Sequence, residues 1–271
     1  MIIGNAAWGL RETPLARQLE ITSHMGLTLL ELSIAGYHRD QLQLESSPKD
    51  AAEVAKLFAS FGVSPACGAT GNDFTGDDWQ KQVEHVKRVI EIAADVGVEK
   101  LRIFAGFSSD SAVYGNRLDN MLRALSLVGE FAAAHHIVPA VETHGGLHSV
   151  DGASFYFASP STRADIWQRI LETGVSMNFD PANLAAVGVE PVAFYRQFAS
   201  SIDYVHLKDF RPAPHGLQPA ACGDPGLLDW PALLGALQDY SGPALIEYEV
   251  PADVEDGLAR SLRFLTAAGA R

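Results

Sequence analysis

Cysteine is nearly absent: Cys67 and Cys222 are the only two in 271 residues. Two thiols are too few for a disulfide framework, so a reducing, cytoplasmic setting is expected. Long apolar runs are missing as well. None approaches the ~20 residues that span a bilayer, and residues 1–8 lack the basic and apolar regions of a secretory leader. No membrane association is therefore expected. Basic residues are outnumbered, 20 Lys and Arg against 33 Asp and Glu, and no run gathers them into a patch. A formal net charge of −13 repels a phosphate backbone, which argues against nucleic acid and for a small polar partner. Low-complexity linkers are also absent. With 47% hydrophobic residues the chain supplies one large core, and residues 1–271 read as a single domain.

Short apolar runs alternate with longer helical patterns from end to end. Strand candidates start near Ile2, Leu27, Val63, Lys100, Ile137, Val175, Asp203 and Ala244. Helical stretches follow at roughly 14–25, 48–61, 78–96, 116–135, 161–173, 190–200, 229–240 and 253–268. Val83, Val86, Val89, Ile90 and Ala93 form one apolar helix stripe, and Leu118, Leu122, Leu125 and Val128 another. Gly26, Gly62, Gly97, Gly174 and Gly242 fall between a helical pattern and the next strand, where helices commonly end. Strand–helix alternation implies a parallel sheet, and eight repeats imply a closed (β/α)8 TIM barrel, a fold of typically ~250 residues. A doubly wound open sheet is the alternative. Gly4-Asn5-Ala6-Ala7-Trp8-Gly9, after the first strand, does not match the dinucleotide-binding pattern that would favour it.

In such a barrel, polar groups at the C-terminal ends of different strands converge on one mouth. Four candidates stand at those ends: Glu142, Asp180, His206 and Glu247. Alternation puts each inward. Val141 and Thr143 face the helices if Glu142 and His144 face the barrel, and Met177 and Phe179 do so if Asn178 and Asp180 point in. Likewise Tyr204, His206 and Lys208 share one face, Glu247 and Glu249 another, and Glu31 and Ser33 a third. Three carboxylates crowded with an imidazole repel one another unless a cation intervenes, and their chemistry suits Mn²⁺, Co²⁺, Mg²⁺ or Zn²⁺.

Further candidates surround this set. Lys208 is either a structural partner of Glu249 or Asp209, or an electrophile beside the substrate. Arg211 either holds a substrate hydroxyl, carboxylate or phosphate, or is a solvated loop side chain. Glu31 and His38, at or after the second strand, are candidate substrate contacts; His144 is a candidate for substrate contact, for support of the ligands or for a second metal. Residues 145–160, with Phe155-Tyr156-Phe157, and residues 210–228, with four prolines, read as long loops that act as lids or, for the aromatic triplet, as a subunit interface.

Val141-Glu142-Thr143-His144, Asn178-Phe179-Asp180-Pro181-Ala182-Asn183-Leu184, Val205-His206-Leu207-Lys208-Asp209, Gly223-Asp224-Pro225-Gly226 and Ile246-Glu247-Tyr248-Glu249 resemble the xylose isomerase-like barrel superfamily. It includes sugar isomerases and epimerases, inosose dehydratases and endonuclease IV-type nucleases. The resemblance covers essentially the whole chain and implies one Mn²⁺ or Co²⁺ held by Glu142, Asp180, His206 and Glu247, with Glu142 and Glu247 as the acid/base pair. It also implies a homo-oligomer. Many epimerases carry a substrate-contacting histidine three residues after the aspartate; here Asn183 takes that substrate-side position, a departure from the ketose 3-epimerases.

The expected activity is that of a divalent-metal-dependent sugar isomerase or epimerase, moving a proton next to a carbonyl through a stabilised enediolate, with Mn²⁺ the first choice. Metal coordination weakens a carboxylate as a base, which keeps Glu249 and Glu31 open as alternatives. A dehydratase acting on a keto-sugar or inosose is the nearest rival. An apurinic-site nuclease would need more histidines and a basic surface, and a non-catalytic sugar-binding barrel would not need the ligand set.

Overall fold

The protein is described by a computed structural model covering residues 1–36, 41–150 and 153–270. Among these residues the strands are β1 (Ile2–Asn5), β2 (Leu32–Ser33), β3 (Cys67–Ala69), β4 (Lys100–Ile103), β5 (Val138–Glu142), β6 (Gly146–Val150), β7 (Ala153–Phe157), β8 (Ser176–Phe179), β9 (Ile202–Leu207), β10 (Asp209–Ala213), β11 (Gly216–Ala220) and β12 (Pro243–Ile246). The helices are α1 (Leu15–His24), α2 (Pro48–Ser60), α3 (Trp79–Val96), α4 (Asn116–Ala134), α5 (Ala164–Leu171), α6 (Pro181–Ala186), α7 (Pro191–Phe198), α8 (Trp230–Ala236) and α9 (Val254–Ala267).

Eight strands form one parallel sheet in the order β1-β12-β9-β8-β5-β4-β3-β2. Its two ends meet where Asn5 N donates to Leu29 O and Glu31 N donates to Asn5 O, at 3.0 and 2.9 Å. The sheet is thus the closed (β/α)8 barrel expected from the alternation. Continuous pairing of the second and third strands is limited to Leu32–Ser33 with Gly68–Ala69, preceded by an isolated bridge between Leu29 and Ser64, so it starts later than the apolar runs at Leu27 and Val63. Pro65 lies in that delay and has no N–H to give a ladder.

Strand alternation separates two cores. Outward residues such as Leu30, Leu32, Val141, Met177, Phe179, Val205, Leu207 and Ile246 pack against the helices. Inward residues Ala6, Leu29, Cys67, Ala140, Tyr204 and Leu245 form a smaller plug inside the barrel. The helices follow local signals. Ser47 caps α2 in a reciprocal pair with Asp50, with Pro48 at the first helical position.

The two segments read as long loops are largely strand. β6 and β7 form an antiparallel hairpin after β5; β10 and β11 form another after β9. The hairpins join through the Leu217–Ser154 pair into a four-stranded sheet of order β10-β11-β7-β6. Prolines 212 and 219 sit inside those strands and disguise them, because a proline in a run argues against a strand unless the site needs no N–H.

Candidate metal centre and cavity

Glu142 closes β5, Asp180 follows β8, His206 is the penultimate residue of β9 and Glu247 follows β12. The plug lies beneath them, so all four are buried: Asp180 and His206 are 0% exposed, Glu142 2% and Glu247 5%. One ligand atom from each falls within 4.8 Å of all the others. His206 Nδ1 is 3.6 Å from Glu247 Oε2, 3.7 Å from Glu142 Oε1 and 4.0 Å from Asp180 Oδ2.

The donor atoms are held and aimed. Asp180 caps α6: its side chain accepts from Asn183 N at 3.0 Å, and its backbone N–H donates to Thr143 Oγ1 at 2.8 Å. That leaves Asp180 Oδ2 buried without a hydrogen bond, although Lys208 Nζ lies 3.1 Å away, out of line. His206 Nδ1 is likewise buried and unpartnered. On the other side of the ring, Nε2 lies 3.4 Å from Glu31 Oε1 and 3.4 Å from Asn178 Nδ2. A carboxylate behind an imidazole fixes the ring and raises its basicity toward a metal on the opposite nitrogen. Two orphaned buried donor atoms, three carboxylates and one imidazole fit a divalent cation.

Electrostatics agree. Burial alone would discharge His206, but the charges of Glu247 and Glu142 and the contact with Glu31 favour its protonated form in the metal-free protein. A cation would replace that proton. Burial pushes the Asp180 carboxyl up to about 7, opposed by Lys208. Burial also favours the neutral form of Glu31, yet the hydrogen bond and charge of His206 hold it at about 2.

Glu31 lies inside the barrel, accepting from Tyr204 Oη at 2.6 Å and Ala7 N at 2.9 Å, beneath the cavity rather than on its wall. Asn183 is fully buried behind Glu142 and donates to Glu142 Oε1 at 2.9 Å. Lys208 Nζ donates to Glu247 Oε2 at 2.8 Å and to Glu249 Oε1 at 3.0 Å. Asp209, the other partner considered for Lys208, instead accepts from Phe210 N, Leu227 N and Trp230 Nε1. His144 lines the cavity edge-on to Phe104 and Phe107, outside the four-residue set, and burial keeps its imidazole neutral. Arg211 is exposed on β10 and does not line the cavity. His38 lies outside the described residues.

Above the cluster opens a cavity of about 950 Å³. Glu142, Glu247, Glu249 and Lys208 reach it; Asp180 and His206 do not. Trp8, Phe104, Phe107 and Tyr156 give it aromatic walls, and Leu147, Ser149, Ser154 and Pro219 of the four-stranded sheet form part of its roof. Tyr156 alone of the aromatic triplet lines it, against Phe210 at 5.0 Å, while Phe155 is exposed. The sequence alone assigns no site role to Trp8 or Arg102, and to Tyr204 only an inward face shared with His206. Arg102 had a signal: Lys100 and Arg102 share one parity of β4, while Leu101 and Ile103 share the other.

No helix among the described residues is long and apolar enough to cross a membrane. No curated protein sequence matches the chain significantly. Solved structures share its fold. A xylose isomerase domain protein from Planctomyces limnophilus is 20% identical, with TM-score 0.74, covering 92% of this chain and 91% of that one. The probable 3-DHS dehydratase AsbF, involved in petrobactin synthesis in Bacillus anthracis, is 15% identical, with TM-score 0.78 and coverages of 98% and 99%. D-allulose 3-epimerase from Methylomonas sp. is 14% identical, with TM-score 0.75 and coverages of 99% and 98%. The sequence model of one family matches residues 19–268, nearly the whole length, and the chain belongs to that family, the xylose isomerase-like TIM barrels.

Proposed function

We propose that this protein is a divalent-metal-dependent sugar isomerase or epimerase that moves a proton next to a carbonyl. One observation carries the reading: of the four clustered residues, only Glu142 and Glu247 both belong to the cation site and face the cavity. Each is oriented by a dedicated donor, Asn183 for Glu142 and Lys208 for Glu247. A cation held there supplies charge stabilisation to the oxygen that becomes negative as the proton leaves. One glutamate takes the carbon-bound proton. The other returns a proton to the opposite face, which epimerises, or to the neighbouring carbon, which isomerises. Positioned acid/base groups of this kind contribute typically ~10²–10⁴-fold.

Glu249 is the reserve base. It reaches the cavity, and burial raises its pKa despite Lys208. Glu31 is ruled out of that role by its place beneath the cavity, with both oxygens engaged. The apolar walls keep water from the carbanion-like intermediate. Names of proteins with this fold, epimerases and a probable dehydratase, support the same proton abstraction.

The test is solvent deuterium exchange into a panel of keto-sugars and inososes with Mn²⁺-loaded protein. Glu142→Gln and Glu247→Gln should each abolish incorporation, and full exchange in both variants would sink the assignment. A product lighter by one water would make the enzyme a lyase that shares the first step.

A further inference from the structure

Arg102 has no part in the proton transfer just described, yet it lines the cavity beside it. It stands near the end of β4 and is 8% exposed. Its guanidinium lies over the Phe104 ring, 4.3 Å from the centroid, and Nη1 donates to Thr70 O at 2.8 Å. These contacts fix the plane and use one terminal nitrogen. Nε is buried with no hydrogen-bond partner. Glu142 Oε2 approaches it to 3.4 Å but out of line for a bond. A buried N–H left without an acceptor is costly, and more so on a charged group.

Among the described residues, no carboxylate near Arg102 is free to fill that edge. The carboxylates whose charge acts most on Arg102 are Glu142, Glu31 and Glu247. Glu142 and Glu247 belong to the cation site and have their own donors, Asn183 and Lys208. Glu31 is bonded to Tyr204 and the Ala7 N–H. The unbonded edge is also the one with the strongest shape preference. Nε–H and the neighbouring terminal N–H of a guanidinium form a planar fork that matches the two oxygens of a carboxylate.

We propose that the Nε edge of Arg102 receives a carboxylate of the substrate, so that the molecule turned over is a sugar acid or another polyhydroxy keto acid rather than a neutral sugar. The inference rests on the reading of this cavity as a site for polyhydroxylated carbonyl compounds and narrows the class. Position narrows it further. With Nε 3.4 Å from Glu142 Oε2, the carboxylate sits beside the carbon whose proton Glu142 handles, not at the far end of the substrate.

D-Fructose and 2-keto-D-gluconate make a matched pair of probes, differing only in oxidation of the carbon next to the ketone. Calorimetric titration of each into the Mn²⁺-loaded full chain gives a ratio of dissociation constants. Any preference for the acid that comes from the cation is common to wild type and variants, so the change in the ratio reports on Arg102. Arg102→Gln should lower the preference for the acid by about tenfold or more, the scale of a lost charge-assisted bidentate contact. Arg102→Lys, which keeps the charge without the fork, should fall between and carries the comparison where Arg102→Gln fails to fold. A ratio unchanged in both variants, or a wild type that binds fructose as well as the acid, would overturn the assignment. Should the protein hold no Mn²⁺, the metal reading fails and the probe ratio still decides the role of Arg102.

Discussion

Along the same strands, the barrel interior passes from a dry plug to a charged mouth in a single pleat. Leu29 is followed two residues later by Glu31, Ala140 by Glu142, Tyr204 by His206 and Leu245 by Glu247. The first member of each pair packs with its counterparts; the second turns into the cluster or supports it. The plug excludes water from below, so the groups above it must be satisfied by one another or by a cation. Low local dielectric makes each such partnership stronger and each missing partner more expensive. Tyr204 joins the layers: its ring belongs to the plug, and its hydroxyl donates to Glu31.

Substitutions on either side of that boundary should separate a site effect from a stability effect. The largest change is expected from Asp180→Ala, which removes an orphaned oxygen at the centre of the cluster. Elemental analysis should find the bound cation lost, and deuterium exchange should cease, with the fold intact by circular dichroism. Leu245→Ala strikes the plug instead. It should cost ~2–5 kcal/mol in denaturant unfolding through the cavity it leaves, with cation content retained. Glu31→Gln tests the contact behind the histidine. Removing the charge behind His206 Nε2 should weaken Mn²⁺ binding ~10–100-fold by titration, with a smaller loss of stability. The mildest is Tyr204→Phe, which keeps the plug filled but strips one hydrogen bond from Glu31, for about 1 kcal/mol in thermal unfolding and a modest loss of Mn²⁺ affinity.

The barrel and its four clustered residues were legible because both rest on period two. A strand buried on two faces shows its inward set once one polar residue marks the parity, and Glu142, Asp180, His206 and Glu247 mark four strands in succession. What parity cannot give is depth. Glu31 and Asn183 were expected against substrate, but the structure puts them behind the site, supporting His206 and Glu142 from positions only the folded chain defines. Arg102 was passed over because β4 carries only the cations Lys100 and Arg102 on that face, with no carboxylate or histidine to mark it as part of a site. The roof sheet was hidden for another reason. Its pairing partners, β7 and β11, are separated by the whole of α5 to β10, and a ladder between distant segments leaves no local pattern.

That roof has a consequence for how such an enzyme changes over generations. Its four strands are laddered to one another and not to the barrel, and β7 and β10 pack against α6. Lengthening the β6–β7 hairpin or exchanging Leu147, Tyr156 or Pro219 would reshape what the cavity admits while leaving Glu142, Asp180, His206 and Glu247 in register. Selection can therefore try new substrates on the cover and keep the clustered floor, so relatives with the same cluster need not share a substrate.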